Sequence, residues 1–254
     1  MSTTFKQRQY DLAYDDGIDR HWWHLARNRI VLQEISKFAP ISPRVLDIGC
    51  GRGIAVKYLR AAGVACVGVE LAAVQPLQGL ESYVRTGVNA TELPLEERQG
   101  YDVITLLDVI EHVPDAGAFI ASLVAAFPNL ACLVITVPAR QELWSNYDEY
   151  YGHYLRYDLR QLRELAESQH LTVAHSSYFF HSIYLPARAL TALRAVRALR
   201  VEPPRGLGRS LHRAVAWAMA LDYDILPAAC VGTSAIACMH RRANVREPNS
   251  RQSD

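Results

Sequence analysis

Short apolar runs rich in β-branched residues alternate with helical stretches along the first half of the chain. Continuous apolar runs are typical of strands that are buried on both faces, and such strands occur in parallel sheets covered by helices. The pattern therefore predicts an α/β fold with a doubly wound, mostly parallel sheet. The strands predicted in this half are 44–49, 65–70, 101–108 and 131–137.

The pattern changes after residue 137, where polar and aromatic residues become frequent. Residues 144–157 predict an ordered loop over one edge of the sheet. A helix at 159–168 and a strand at 171–180 come next. Residues 183–226 then indicate a helical insertion before the last strand, with two helices joined at 202–208. The last strand is predicted at 233–239.

We expect five segments along the chain, divided where these patterns change. They are a helical cap at 1–43, a ligand-binding core at 44–182, a helical insertion at 183–226 that forms a substrate cap or an interface, a final strand at 227–243 and a polar tail at 244–254.

The most informative stretch is VLDIGCGRG at 45–53, in which a strand ends in a glycine-rich turn that opens a helix. Glycine allows the backbone to approach a ligand closely, and the helix N-terminus offers free N–H groups and a positive dipole. The next strand ends at Glu70, where a carboxylate can accept both hydroxyls of a ribose. A nucleoside-containing ligand is therefore predicted.

Two residues indicate which nucleoside compound this is. A dinucleotide turn has the pattern G-x-G-x-x-G, but position 54 is Ile54 here, which argues against a nicotinamide-dependent oxidoreductase. Asp47 begins the turn, and a buried acid there would repel a pyrophosphate. It suits a ligand with a cationic end, such as S-adenosylmethionine. The alternative is that Gly49, Gly51 and Gly53 only form a tight strand-to-helix turn and bind no ligand.

These residues resemble the first two motifs of class I S-adenosylmethionine-dependent methyltransferases. Segments 89–95, 101–115 and 133–139 are similar to the adenine-contacting, fourth-strand and fifth-strand motifs. LWSNYDEYYGHYLRY at 143–157 resembles the L-W-S-x-x-D…G-H-x-R-R-Y segment of a bacterial subfamily that acts on small molecules. Segments 21–31 and 226–242 are similar to its N-terminal helix and final strand.

The resemblance implies a seven-stranded sheet with an antiparallel last strand and methyl transfer to a small molecule. It places Asp47, Gly49 and Gly51 at the methionine end of S-adenosylmethionine, Glu70 at the ribose and Asn89 at the adenine. The family usually has Asp at position 89, and asparagine accepts the same hydrogen bond without a charge. Further cofactor contacts are assigned to Cys50, Leu71, Ala90 and Asp108.

The transfer itself requires an aligned acceptor, a dry site and removal of one proton from an O–H or N–H group. His153 is a candidate base, and its alternative role is to anchor a loop in which Asp148 pairs with Arg156. His112 is the second candidate, with a cofactor-side structural role or a solvent-facing position as alternatives. For a carboxylate or amine acceptor no base is needed, and Arg156 could then orient an anionic substrate.

Two further features have competing interpretations. Trp22 and Trp23, on a helix predicted from about 19 to 37, either pack that helix on the sheet or cover the cofactor as a lid. The insertion has Leu190, Leu193, Val196 and Leu199 at helical spacing beside several arginines. It is predicted to cover the substrate pocket, with contact to a membrane surface as the minor alternative.

Composition excludes several classes of function. The chain of 254 residues has a formal net charge of +1, which gives no sign of nucleic-acid binding. Its apolar runs are too short or too interrupted for a membrane span, and its polar N-terminus lacks a signal-peptide pattern. Five cysteines without metal spacing predict a reduced, cytoplasmic protein with no metal.

The sequence thus predicts a methyltransferase that uses S-adenosylmethionine to methylate a hydroxyl or carboxyl oxygen of a small biosynthetic molecule. Transfer to the nitrogen of a small amine and a non-catalytic scaffold that binds the cofactor are the alternatives. A monomer or a homodimer is expected.

Overall fold

The computed structural model describes residues 9, 10, 12 and 14–241. Seven strands form one sheet in the order β3-β2-β1-β4-β5-β7-β6. Only β7 is antiparallel to its neighbours, β5 and β6. The strands are β1 Arg44–Ile48, β2 Ala65–Glu70, β3 Val84–Thr86, β4 Val103–Leu107, β5 Cys132–Pro138, β6 Leu171–Phe179 and β7 Ser234–Arg241.

Helices cover both faces of this sheet. The α-helices of the described residues are α1 Trp22–Phe38, α2 Ile54–Ala61, α3 Leu95–Arg98, α4 Ala116–Ala126, α5 Asn146–Tyr151, α6 Leu159–Ser168, α7 Tyr184–Ala192 and α8 Gly208–Ile225. Short 3₁₀ helices lie at Ile18–Arg20, Ala90–Glu92, Ile110–His112 and Gln141–Leu143.

Two apolar cores lie on opposite faces of the sheet because successive strand residues point to opposite sides. Val45 contributes to the core beneath α1, α2 and α8. Leu46, the next residue, contributes to the core beneath α4 and α6. All central strand positions are buried, which accounts for their continuous apolar sequence. This confirms the predicted doubly wound architecture and its antiparallel last strand.

Several element predictions need correction. β3 was not predicted, since VRT is too short to show a pattern. The predicted loop at 144–157 contains α5, whose six residues follow a serine cap. The first insertion helix ends at Ala192, so Leu193, Val196 and Leu199 lie beyond it and do not share one helical face. The five-segment division stays a prediction.

Candidate active site

The glycine-rich turn after β1 has three residues in the left-handed region, Gly49, Gly51 and Gly53, with φ of +74°, +55° and +90°. A side chain is strained in this conformation. The amides of Gly49 and Cys50 bond to the carbonyl of Val69, which ties the turn to the end of β2. The turn therefore holds its shape before any ligand arrives.

Glu70 faces this turn and already accepts three hydrogen bonds. The amide of Gly51 donates to its Oε2 at 2.9 Å. The amide of Ala72 at 2.9 Å and the hydroxyl of Tyr10 at 3.0 Å donate to its Oε1. A carboxylate has about four acceptor positions, so a ribose must use the remaining one or replace Tyr10.

Two tyrosines near the N-terminus lie over the turn, and the sequence analysis did not assign them to the site. A Cβ on Gly51 would meet the ring of Tyr14 at 2.8 Å. Tyr10 stacks on Tyr14 with ring centroids 5.8 Å apart and packs against Ala72. The amide of Tyr14 donates to the carbonyl of Tyr10, and the spacing of four residues is the signal that could have placed both rings on one side.

Asp47, on β1 just before the turn, is buried. Its Oδ1 accepts a hydrogen bond from Thr105 at 2.7 Å. Burial raises the pKa of Asp47 to about 6, although the hydrogen bond from Thr105 and the nearby charge of Arg27 oppose the shift. A cationic ligand beside Asp47 would favour its ionised form.

Arg27 is a site residue that sequence reasoning missed. Its guanidinium is buried, lies over the ring of Trp23 at 4.9 Å and pairs with Asp108 at 2.6 Å. Asp108 has a φ of +58°, an uncommon conformation for a residue with a side chain. An arginine on an apolar helical face was the available signal, because a buried charge requires a partner.

The predicted adenine segment lies next to the end of β2. The amide of Val88 donates to the carbonyl of Glu70, which brings Asn89 and Ala90 close to Leu71. The side chain of Asn89 accepts from the amide of Thr91 and so caps the 3₁₀ helix Ala90–Glu92. Asn89 thus already has a structural role at this position. The thiol of Cys50 packs in the core, where Gly68 leaves room for it.

A cavity of about 560 Å³ lies along the carboxyl ends of β4 and β5. A small cavity of about 30 Å³ at the glycine turn, lined by Asp47, Gly49 and Cys50, adjoins it at Arg27 and Leu107. The carboxyl ends of the strands are the edge where open α/β sheets bind ligands. The polar groups that line the large cavity belong to four regions of the chain. They include Arg27, Asp108, Glu111, His112, Tyr147, His153, Arg156 and Arg197.

His153 is held by a buried carboxylate at the wall of this cavity. Its Nδ1 lies 2.8 Å from Oδ1 of Asp148. Asp148 also pairs with Arg156, whose Nε and Nη2 donate to its two oxygens at 2.7 and 3.1 Å. Burial favours a high pKa for Asp148, but the hydrogen bonds from His153 and Arg156 outweigh it and hold the pKa below its ordinary value.

Backbone hydrogen bonds join the two ends of the segment 139–157, which carries His153. Arg140 donates its amide to the carbonyl of Tyr157, and Tyr157 donates its amide to the carbonyl of Pro138. Gly152 ends α5 with a φ of +71°, which redirects the chain toward the cavity. The amide of Tyr154 donates to the carbonyl of Glu111. These bonds place His153 beside the 3₁₀ helix Ile110–His112.

His112 and Glu111 lie next to His153. The two histidine rings are 4.7 Å apart, and the His112 ring hydrogen-bonds to the backbone of Tyr151 and Gly152. Burial, together with the nearby His153, lowers the pKa of His112 to about 3. Glu111 is buried too, and burial with nearby Asp108 raises its pKa. The solvent-facing alternative for this pair is therefore wrong.

Ligand atoms of Glu111, His112 and His153 all lie within 4.8 Å of one another, so these three groups could hold a metal ion. The spacing along the sequence gives no signal of this, because the two histidines come from distant segments. The sequence-based expectation of no metal stays a prediction.

Two interpretations change with the structure. Arg156 already makes three hydrogen bonds, from its Nε and Nη2 to Asp148 and from its Nη1 to Ala139, so only one N–H group on each Nη remains for a substrate. Trp22 and Trp23 pack against Phe180, with centroids 5.4 and 6.4 Å away, and also line the cavity. The contacts with Phe180 are the packing that one alternative expected, and the role of covering the cofactor stays a prediction.

The methyltransferase domain family matches residues 21–176, which is more than half of the chain. The chain therefore belongs to this class of protein. It is a member of the S-adenosylmethionine-dependent methyltransferase family, as the glycine turn and the sheet order indicate.

Individual relatives share parts of the chain. This chain is 35% identical to the ubiquinone biosynthesis O-methyltransferase of Bordetella parapertussis over 109 residues. The matched residues cover 40% of this chain and 42% of that protein. The protein of the same name from Xylella fastidiosa is 33% identical over 47% of this chain and 54% of its own length. The chain thus spans about half the length of the curated relatives it matches.

The fold is similar to solved structures at greater distance. Magnesium protoporphyrin IX methyltransferase from Synechocystis superposes with a TM-score of 0.55 over 92% of this chain and 93% of that one, at 15% identity. At this identity the likeness supports the fold alone. Within the described residues, no helix is long and apolar enough to cross a membrane.

Proposed function

We propose that this protein transfers a methyl group from S-adenosylmethionine to an oxygen atom of a small biosynthetic molecule. The observation that carries the proposal is His153, which is held by Asp148 and lines a large cavity that adjoins the small cavity at the glycine turn. The names of the curated relatives, which are O-methyltransferases, support an oxygen acceptor.

The residues around the turn fit this donor. Asp47 and Asp108 supply negative charge for its cationic end, and Arg27 supplies positive charge for its carboxylate. Glu70 has one acceptor position left for a ribose hydroxyl, and Leu71 with Ala90 offers an apolar border for the adenine. Gly49 and Gly51 adopt a positive φ, which favours a residue without a side chain at these positions.

When bound, S-adenosylmethionine supplies an electrophilic methyl group on a sulfonium, which leaves as a neutral thioether after transfer. The chain has to accept the proton of the attacking hydroxyl. Asp148 holds Nδ1 of His153, so the proton of the neutral ring resides there and Nε2 carries the lone pair. Nε2 of His153 is the atom that takes the acceptor's proton.

His112 is unsuited to this task because its lowered pKa makes it a weak base near neutral pH. We infer that it sets the position of His153, which lies edge to face with its ring. Arg156 is a positioning residue that fixes Asp148. An acceptor that is already ionised would need neither histidine.

Calorimetry and methyl transfer together test this function. We expect saturable binding of S-adenosylmethionine and methyl transfer to a hydroxylated acceptor from a panel of pathway intermediates. His153→Ala should lower kcat by about 10²–10⁴-fold, the usual contribution of a general base, and leave donor affinity unchanged. His170→Asn, at an exposed turn, is the matched control. Failure to bind the donor would refute the proposal.

Transfer to a small amine and a non-catalytic scaffold are the remaining alternatives. An amine acceptor would require loss of a proton before attack, so its rate would rise with the fraction of neutral amine. Methylation of no acceptor in the panel, with normal donor binding, would favour the scaffold. We also propose that catalysis needs no metal, so dialysis against EDTA should leave the rate unchanged.

We infer a reduced compartment such as the cytoplasm from the cysteines. All five are free thiols, and four of them are buried.

A further inference from the structure

Arg197 is a cation on the wall of the large cavity. It lies after α7, in the part of the insertion that lines the cavity together with Tyr147 and His153. Its Cζ lies 4.8 Å from the centroid of the Tyr147 ring. In the part of the chain that the structure describes, its hydrogen bonds are made by its backbone, and its guanidinium has no acceptor or ion pair. Its N–H groups are therefore available to a molecule in the cavity.

The backbone of Arg197 is fixed to α5. Oδ1 of Asn146 accepts from the amide of Arg197 at 2.9 Å, and Nδ2 of Asn146 donates to its carbonyl at 3.0 Å. Two residues further on, the carbonyl of Leu199 accepts from the hydroxyl of Tyr151 at 2.9 Å. Asn146 and Tyr151 are the first and last residues of α5, the helix that also carries Asp148. The cation and the carboxylate that holds the candidate base are thus attached to one short helix.

A second guanidinium, that of Arg156, lies close enough to repel Arg197. Burial, together with nearby Arg156, lowers the pKa of Arg197, and the attraction of Tyr147 and Asp148 opposes the shift without cancelling it. Asp148 already bonds to Arg156 through both of its oxygens. A guanidinium stays charged in proteins, so a bound anion would relieve the repulsion between the two arginines.

The acidic groups on the cavity wall do not supply this anion. The described lining contains two carboxyl groups, those of Asp108 and Glu111. Asp108 pairs with Arg27 at 2.6 Å. Burial, with nearby Asp108, raises the pKa of Glu111, which favours its uncharged form. S-adenosylmethionine carries an ammonium, a sulfonium and a carboxylate, so its binding adds positive charge. An acceptor with a negative charge complements this cavity.

We propose that Arg197 binds an anionic group, such as a carboxylate, on the acceptor, so that the substrates of this protein are small hydroxylated acids. The inference rests on the proposed function. The Tyr147 ring contacts Arg197, and its centroid lies 6.4 Å from that of the His153 ring, so one small molecule can reach both groups. The acceptor's hydroxyl then lies at His153 and its anion at Arg197. A guanidinium matches a planar carboxylate with two parallel N–H bonds.

Matched pairs of acceptors test this specificity. Each pair consists of a hydroxylated acid and its uncharged carboxamide, with hydroxybenzoates and hydroxycinnamates as the probes. Calorimetry in the presence of S-adenosylhomocysteine should show tighter binding of the acid, and methyl transfer should favour it in kcat/KM. In Arg197→Gln the KM of the acid should rise by about 10–100-fold, the effect of losing a charged hydrogen bond. Its kcat should stay nearly constant, because this contact is equally strong before and during transfer.

Two further variants serve as controls. Arg197→Lys keeps the charge without the planar fork, so it should retain part of the preference for the acid. Arg194→Gln alters an exposed arginine of the same segment that is not among the residues lining the cavity. It should have the acid preference of the parent protein. All three variants should keep the donor affinity and the melting temperature of the parent.

Four outcomes would overturn the proposal. They are the absence of binding by every acid in the set, equal affinity of the parent for acid and carboxamide, an acid preference that survives in Arg197→Gln, and a methyl ester as the product. An ester would mean that the carboxylate faces the donor and not Arg197. Loss of donor affinity in Arg197→Gln with the acid preference intact would assign Arg197 to the carboxylate of the donor instead.

The binding measurement separates this proposal from the proposed function. Acid binding that depends on Arg197, without methyl transfer to any probe, would support the anion site and count against the proposed function alone. Methyl transfer to acid and carboxamide with equal kcat/KM would support the proposed function and overturn the anion site.

Discussion

Asp148 is bonded to five groups on three residues. Its Oδ2 accepts from the amide and hydroxyl of Ser145, and both oxygens accept from Arg156 while Oδ1 also faces His153. A fully buried carboxylate is stable only when its acceptor positions are filled in this way. Asp148 therefore fixes three side chains at once and sets the tautomer of His153.

Asp47 makes donor binding sensitive to pH. The pKa of Asp47 is raised to about 6 by burial, so the side chain becomes neutral below that pH. A cationic donor binds the ionised form more tightly, so its affinity should fall by about tenfold between pH 7 and pH 5. Calorimetry at a series of pH values measures this.

The control for the Asp47 prediction is Asp47→Asn, which keeps the hydrogen bond from Thr105 but cannot ionise. Its donor affinity should be lower at neutral pH and flat across the same pH range. A parent protein whose donor affinity stays constant from pH 7 to pH 5 would contradict the prediction.

The sequence indicated the charged residues of the site but not their partners. Asp47, Glu70 and His153 stand in recognisable motifs, so their positions at the sheet edge could be predicted. The pair of Arg27 with Asp108 joins residues far apart in the chain. The bond of Tyr10 to Glu70 spans a similar distance, and no local pattern encodes such contacts.

At the scale of elements, the closed segment 139–157 carries the candidate base. Ser145 and Asp148 form a capping box at the start of α5, in which each side chain bonds to the backbone of the other residue. The pattern S-x-x-D in the sequence is a known helix-start signal. It could have predicted α5, where the polar composition instead suggested a loop.

Replacement of Ser145 by alanine tests this capping box. Ser145→Ala removes the cap and one hydrogen bond to Asp148, so we expect unfolding in urea to show a loss of about 1 kcal/mol. The rate of methyl transfer should fall as well, because His153 loses part of its support. Ser168→Ala, at the exposed end of α6, should change neither quantity.

The two faces of α8 should respond differently to the same substitution. Ala216 is buried against the core, so Ala216→Asp buries an unpaired carboxylate and should lower the free energy of unfolding by about 3 kcal/mol or more. Ala218 lies on the exposed side, so Ala218→Asp should change it by less than about 0.5 kcal/mol. Thermal denaturation of both variants measures the difference.

Equal destabilisation by the two aspartates would mean that both faces of α8 are packed.

The boundaries of a helix could be predicted from the sequence where its apolar pattern is long, as in α6, which lies at the predicted residues. The end of α7 did not follow from the apolar spacing from Leu190 to Leu199. This helix ends at Ala192, and the chain turns at Arg194, where φ is +53°. The periodicity of apolar residues in the sequence does not show where this helix ends.

At the scale of the molecule, the sheet edge is covered from two directions. The N-terminal tyrosines lie over the glycine turn, and the insertion lines the cavity beyond it. A ligand enclosed by both parts should stabilise the whole fold. Saturation with S-adenosylmethionine at about 100 times its Kd should add about 2.7 kcal/mol to the free energy of unfolding.

A thermal-shift assay checks this stabilisation, with a nicotinamide dinucleotide as the negative control. Gly51→Val should remove the shift, because a side chain at φ +55° is strained and would collide with Tyr14. Stabilisation by the dinucleotide in place of S-adenosylmethionine would contradict the assignment of the turn.

The class of fold could be predicted from the alternation of apolar strands and helices, since burial on both faces leaves a continuous pattern. The order of the strands could not be obtained from that pattern, and the family resemblance implied only their number and the antiparallel direction of the last strand. The shape of the cavity also depends on packing of Trp22 and Trp23 on Phe180, which only the folded chain brings together.

The position of β7 has a consequence for biosynthesis of the chain. This strand is the last of the seven to leave the ribosome, yet it lies between β5 and β6. Until residue 241 has emerged, β5 and β6 each present a bare edge that can pair with another nascent polypeptide. Sheet closure must therefore wait for the end of translation of this region, and a chain truncated before Ser234 would be prone to aggregate.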